Sequence, residues 1–188
     1  MLTKPNNWET VEAFSGGFPK LPVDGYVVKI EDVKIKTSAR GFEYLEILFD
    51  ISEGKYKDYF HKEYDANDFD GAKYKGVFRQ GTPKNNDRAA SFFKGMVTAI
   101  EESNPGYKWD WDEKSIVGKT AGCIFRSEEW EYNGKTGFRT TPFRIVAADK
   151  IRAGDYTVPA PKTLPAPSLT SGNSLSDFDK ISDDDIPF

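Results

Sequence analysis

From Tyr26 the chain alternates, with Tyr26, Val28 and Ile30 on one face, and the alternation resumes one residue out of phase at Val33 and Ile35. A phase slip inside a strand predicts a β-bulge, which bends it. Thr37-Ser38-Ala39-Arg40-Gly41 supplies a turn. The second strand sets Leu45, Ile47, Phe49 and Ile51 on one face and Phe42, Tyr44, Glu46 and Leu48 on the other. Glu53-Gly54-Lys55 turns the chain, and Lys57–Tyr64, rich in Tyr, Phe and Lys, predicts a third strand. Residues 65–86 are rich in Gly, Asn and Asp and predict an irregular connection, long enough to point to function. The period then changes. Ala89, Phe92, Phe93, Met96, Val97 and Ile100 follow the spacing of one helix face, with Asp87 as N-cap and Asn104-Pro105-Gly106 as the stop. Two further alternating runs, roughly 119–132 and 135–148, flank Asn133-Gly134, the strongest short-range signal for a hairpin.

The predicted order is three strands, one helix and a two-stranded hairpin. This is the element order of the OB-fold, a five-stranded Greek-key barrel with a helix between its third and fourth strands. Other small barrels and α+β sandwiches use the same list, and fold alone does not give function. The expectation is therefore a mainly β protein whose core occupies residues 20–155, after an N-terminal arm, 1–19, interrupted by Gly16-Gly17 and Pro19. Past Tyr156 the periodic apolar face ends. Two Pro-Ala-Pro units and a Ser/Thr/Gly/Asn stretch predict a disordered linker, 156–176, leading to an acidic tip, 177–188.

Charge changes this picture only locally. The 188 residues carry a net charge of -4, which argues against a uniformly basic nucleic-acid binder. Residues 20–155 hold 23 charges of each sign, whereas residues 161–188 hold 2 basic and 5 acidic side chains. Within the neutral core, residues 71–88 set Lys73, Lys75, Arg79, Lys84 and Arg88 against Asp87 alone. No apolar run reaches the ~18 residues of a membrane helix. A single cysteine, Cys123, excludes an internal disulfide framework, and a single histidine, His61, argues against a zinc site. The expected compartment is a reducing cytoplasm, with no membrane partner.

The last six residues are Asp183-Asp184-Asp185-Ile186-Pro187-Phe188. This segment resembles the acidic C-terminal tip of bacterial single-stranded DNA-binding proteins, and the layout of OB-type core, linker and tip is similar as well. Leu21-Pro22-Val23-Asp24-Gly25-Tyr26 and Glu43-Tyr44-Leu45-Glu46-Ile47 are more similar to versions encoded by phages or mobile elements of Gram-positive hosts. The resemblance implies a core that coats single-stranded DNA and a tip that recruits replication, recombination and repair enzymes, in a bacterial cell or a phage-infected host. Monomer and oligomer both stay open. The tip also makes physical sense unaided, since Phe188 joins an apolar ring to a carboxylate while the aspartates favour a basic rim.

Sequence-tolerant binding of a single strand needs cations for phosphates and aromatic faces for bases. OB-folds use the face of strands two and three and the loops joining strands 1–2 and 4–5. Three stretches fit: Lys36, Arg40, Phe42 and Tyr44; Lys73, Tyr74, Lys75, Phe78 and Arg79; and the Asn-Gly hairpin. If Tyr132 faces Lys135, then Arg126, Trp130, Tyr132, Lys135 and Arg139 share one face. Lys62 and Tyr64 on the third strand form a weaker candidate, while Trp109 and Trp111, beside the helix end, read as packing. Asp110-Trp111-Asp112-Glu113 and Asp183–Asp185 have no Lys or His at a spacing that suits nuclease chemistry, and no Gly-rich phosphate loop follows a strand. The expectation is thus a binding protein, not an enzyme, without cofactor or metal. The alternative is an adaptor that displays the tip without gripping DNA itself.

Overall fold

The computed structural model describes residues 3–6, 8–9, 18–67 and 71–164. Most of the expected arm, the linker from residue 165 and the whole tip, 177–188, lie outside the described residues.

The phase slip is a bulge. The first strand, β1 (Gly25–Thr37), pairs with β2 (Glu43–Ile51) in a register that shifts between Ile30 and Asp32. The shift keeps Val28, Ile30 and Val33 on the buried side, opposite Ile51, Phe49 and Ile47. Ile35, at the strand's end, is exposed instead.

The segment expected as a third strand is a helix, α1 (Tyr59–Ala66). Its own N-cap, Asp58, makes no side-chain capping bond. The carboxylate of Asp50, on β2 and only 4% exposed, does that work: it accepts the N–H groups of Phe60 and His61, each at 2.9 Å. Those are two of the donors a helix leaves unsatisfied at its start. Tyr59 and Phe60 thereby turn into the core, where Phe60 meets Phe49 edge-on at 5.7 Å.

The true third strand, β3 (Val77–Gly81), lies inside the stretch expected to be irregular and pairs with β2. It starts at a tight approach, because a Cβ on Gly76 would sit 2.2 Å from the Phe49 carbonyl oxygen. The next helix, α2 (Asp87–Ser103), is capped one residue earlier than expected: the Asn86 side chain accepts the Ala89 N–H at 2.8 Å. Phe93, Met96 and Ile100 are its core face. A 3-10 turn (Glu113–Ile116) leads to β4 (Thr120–Tyr132), which forms the hairpin with β5 (Lys135–Val146), and a short α3 (Ala148–Ala153) follows.

The five strands form one antiparallel sheet in the order β3-β2-β1-β4-β5. The edge strands β3 and β5 bring some Cα atoms within 8 Å of each other but share no ladder, so the sheet is open. The described residues are thus mainly β, with a helix between β3 and β4 as expected and two more among them that were not. No helix among the described residues is long and apolar enough to cross a membrane.

Residues past the expected boundary at 155 still hold to the sheet. The Tyr156 hydroxyl donates to the Asp24 carboxylate. Lys162 pairs with β4 where β1 has ended, its N–H reaching Ser127 O at 2.9 Å and its carbonyl accepting from Glu129 at 2.8 Å.

Candidate nucleic-acid interface

On the solvent side of β1, β2 and β3, the register brings together several residues that the sequence proposed. Lys36 lies opposite Tyr44, and Arg79 opposite Glu46. Glu46 dominates this face. Nearly buried, it accepts from Lys36 at 2.6 Å and from the Arg79 guanidinium at 2.9 and 3.1 Å. Burial acts to raise its pKa, but the hydrogen bonds from Lys36 and Arg79 outweigh it and hold the carboxyl below its ordinary value. Lys34 pairs with Asp32 at 3.1 Å, and Lys84 with Glu43 at 3.2 Å. The cations of this face are therefore largely matched by carboxylates. Phe42 and Tyr44 are half-buried, and Arg40 is exposed in the turn.

The second predicted stretch is mostly structural. Phe78 is only 4% exposed and belongs to the core, so its ring offers no face for a base. Tyr74 packs against Phe60, His61 and Tyr64, and its hydroxyl donates to Phe49 O at 3.0 Å. The ring is a pin that fastens α1 and the segment after it to β2. Lys75 pairs with Glu63 at 2.6 Å, while Lys73 is exposed. Lys62 and Tyr64 stand on α1, not on a strand; Lys62 donates to Lys57 O, and Tyr64 is partly exposed.

His61 Nδ1 lies 2.6 Å from Asp50, and Nε2 lies 3.5 Å from Glu31. Burial lowers its pKa, but the Asp50 hydrogen bond and the charges of Glu31, Asp50 and Asp65 outweigh that, so the net shift is upward. A raised histidine pKa contributes stability that is complete below the unfolded value of about 6.5 and is lost as pH rises through the folded value. The melting temperature should therefore decline as pH climbs above about 6.5. His61→Gln should flatten that decline, as thermal melts across this range would record; parallel profiles for the two proteins would rule the coupling out.

The hairpin has the expected register. Tyr132 faces Lys135, Trp130 faces Gly137, Glu128 faces Arg139, and Arg126 faces Thr141. Gly137 matters here: a Cβ on it would come within 3.0 Å of the Trp130 indole, so the ring lies over the neighbouring strand. Tyr132 is 72% exposed near the tip. Glu128 sits among three cations, 3.3 Å from Arg139, 3.5 Å from Lys162 and 3.9 Å from Arg126. The other face carries Glu129, Glu131 and Phe138, so the two sides of the hairpin differ in sign. Both tryptophans expected to pack do meet Phe93, Trp109 edge-on at 5.8 Å and Trp111 stacked at 6.4 Å, though Trp111 leaves 73% of its surface exposed.

A cavity of about 920 Å³ opens between α2, β3 and β5, where the sheet does not close. Phe78, Phe92, Met96 and Phe143 form its apolar lining, and Arg88, Lys94, Arg126, Arg144, Lys150 and Lys162 surround them against Glu102 alone. The Phe143 ring lies 5.1 Å from the Arg126 guanidinium and 5.3 Å from that of Arg144. Arg126 Nε is buried without a hydrogen-bond partner among the described residues. The sequence reading touched this cleft only at Arg126, Phe78 and Arg88, the last as the end of the basic stretch 71–88. One signal was present: Arg88, Phe92, Gly95 and Ala99 repeat every three or four residues along α2, a stripe with small residues in the middle of a helix.

No protein-family model matches the chain, and no curated protein is significantly similar to it.

Proposed function

We propose that this protein binds single-stranded DNA without sequence preference, on a core of OB-fold type, and acts by coating the strand rather than by catalysis. The observation that carries the reading is the hairpin face, which aligns Arg126, Trp130, Tyr132, Lys135 and Arg139 on one side of β4 and β5. Cations interleaved with rings on a two-stranded ribbon meet the two needs of a sequence-tolerant site, phosphate neutralisation and base stacking. Two features support the OB-type core. The strand order β3-β2-β1-β4-β5 is that of such a barrel opened between its third and fifth strands, and α2 lies between β3 and β4. In this reading Asp183, Asp184, Asp185, Ile186, Pro187 and Phe188, outside the described residues, recruit the replication, recombination and repair enzymes that act on the coated strand, in the cytoplasm. The test is titration of the full chain into fluorescent oligo(dT) at several salt concentrations. Affinity that falls steeply with salt and is little changed in mixed-sequence oligonucleotides is expected. Absence of any salt-dependent binding would overturn the reading in favour of an adaptor.

A further inference from the structure

The hairpin face does not end at Arg126. Its guanidinium lies over Phe143, and that ring also lines the cleft between α2, β3 and β5. Trp130, Glu128 and Arg126 thus follow one another along one face of β4, and Arg126 joins that face to Phe143 at the cleft.

Charge points the same way. On the outer face of β1, β2 and β3, Glu46 takes both Lys36 and Arg79, and Asp32 takes Lys34. In the cleft, Lys94, Arg144 and Lys150 make no ion pair with another described residue, and the lining holds one carboxylate, Glu102. Concentrated positive charge in a low-dielectric groove attracts a polyanion more strongly than the same cations matched by carboxylates. The wall that α2 provides, from Arg88 to Glu102, is about 21 Å long, room for several nucleotides. Phe92 stands on that wall with the Arg88 guanidinium 5.7 Å from its ring. The Nε of Arg126 is buried and has no hydrogen-bond acceptor among the described residues, so this guanidinium would meet a strand through its terminal nitrogens.

We infer that a bound single strand passes from the hairpin face into the cleft between α2, β3 and β5, and that this cleft, not the outer face of β1–β2–β3, takes the remaining phosphates. The inference rests on the single-stranded DNA reading above. An acidic peptide would fit one end of the cleft, but a single strand accounts for cations distributed along α2, β4, β5 and α3 and for the half-buried Trp130 and exposed Tyr132 on the hairpin face that leads to them.

The experiment compares Lys94→Glu/Lys150→Glu with Lys36→Gln/Arg79→Gln carrying Glu46→Gln, so that no buried carboxylate is left unpaired, each in the full chain, on oligo(dT) of about 6 and about 20 nucleotides. Lys94 and Lys150 are exposed and make no ion pair with another described residue, so the first pair should leave folding intact; Lys94→Gln/Lys150→Gln provides a milder version. The first pair should bind the short oligonucleotide within about twofold of the unaltered protein, lose at least about tenfold on the long one, and show a log–log salt slope lower by roughly 1.4, for two phosphates. Unchanged binding of both lengths, with a loss in the Lys36/Arg79 variant, would overturn the inference and put the strand on the outer face. A cleft variant that loses a labelled acidic peptide spanning 177–188 but keeps both DNA affinities would overturn it in favour of a peptide site. If the unaltered protein binds neither oligonucleotide, the DNA reading itself fails, a result distinct from either of these.

Discussion

Asp50→Ala should cost about 3 kcal/mol of stability and lower the melting temperature by roughly 10 °C, a large effect for a single polar side chain. The carboxylate is buried and accepts the N–H groups of Ile51, Phe60 and His61 as well as the His61 ring. Alanine would leave two helix-start donors in the interior with no acceptor, at a cost of about 1–3 kcal/mol for each buried group left unsatisfied. Asp50→Asn retains one oxygen and should lose about half as much. Circular dichroism should show α1 melting before the sheet in the alanine protein. If the alanine protein melts with the unaltered one, the burial of Tyr59 and Phe60 holds α1 without the cap.

The second large effect concerns the hairpin. Trp130→Ala should weaken oligo(dT) binding by about tenfold, as expected for the loss of stacking with one base, with little change in the salt slope. Arg126→Ala/Arg139→Ala should flatten the slope by roughly 1.4 if each guanidinium neutralises one phosphate. This double change also releases Glu128, which both arginines approach and which then faces the strand with only Lys162 nearby. Adding Glu128→Gln to the double variant should therefore recover part of the affinity without restoring the slope. Identical slopes for the unaltered and double-arginine proteins would mean that the hairpin does not touch the DNA backbone. Since Trp130 covers Gly137, melts of the tryptophan variant must accompany its binding curve.

Features decided within a few residues were legible in the sequence. The β1 bulge, the run of α2 and the hairpin register from Tyr132–Lys135 to Arg126–Thr141 follow from local period and from Asn133-Gly134, whereas the register shift at Ile124–Phe125 does not. The region between was misread because its determinants are not local. Lys57–Tyr64 is too short for period to separate strand from helix, and the group that decides, Asp50, lies on the preceding strand. β3 has five residues beside glycines, too few for alternation to stand out. The same distinction runs through the candidate site. The hairpin patch needed only two adjacent strands in register. The cleft needs the outward stripe of α2 and the end of β5, some fifty residues away, and only tertiary packing joins them. Phe78 and Tyr74 show the reverse error, where rings beside cations turned out to serve the core.

The place of β1 in the sheet sets a timetable for synthesis. β1 is a central strand, yet one of its edges waits for β4, since Gly25 pairs with Ile124 and Lys29 with Thr120. The meander β1–β2–β3 is available as soon as Gly81 has been made, but the apolar edge at Tyr26–Val28 stays uncovered until about seventy residues after β2 have been added. At ~5–20 residues per second that interval is roughly 4–14 s. An unpaired, apolar edge is a template for another chain. Crowded ribosomes on one message would thus be the setting in which this protein is most prone to misassembly, and slower translation between β2 and β4 should lower the soluble yield.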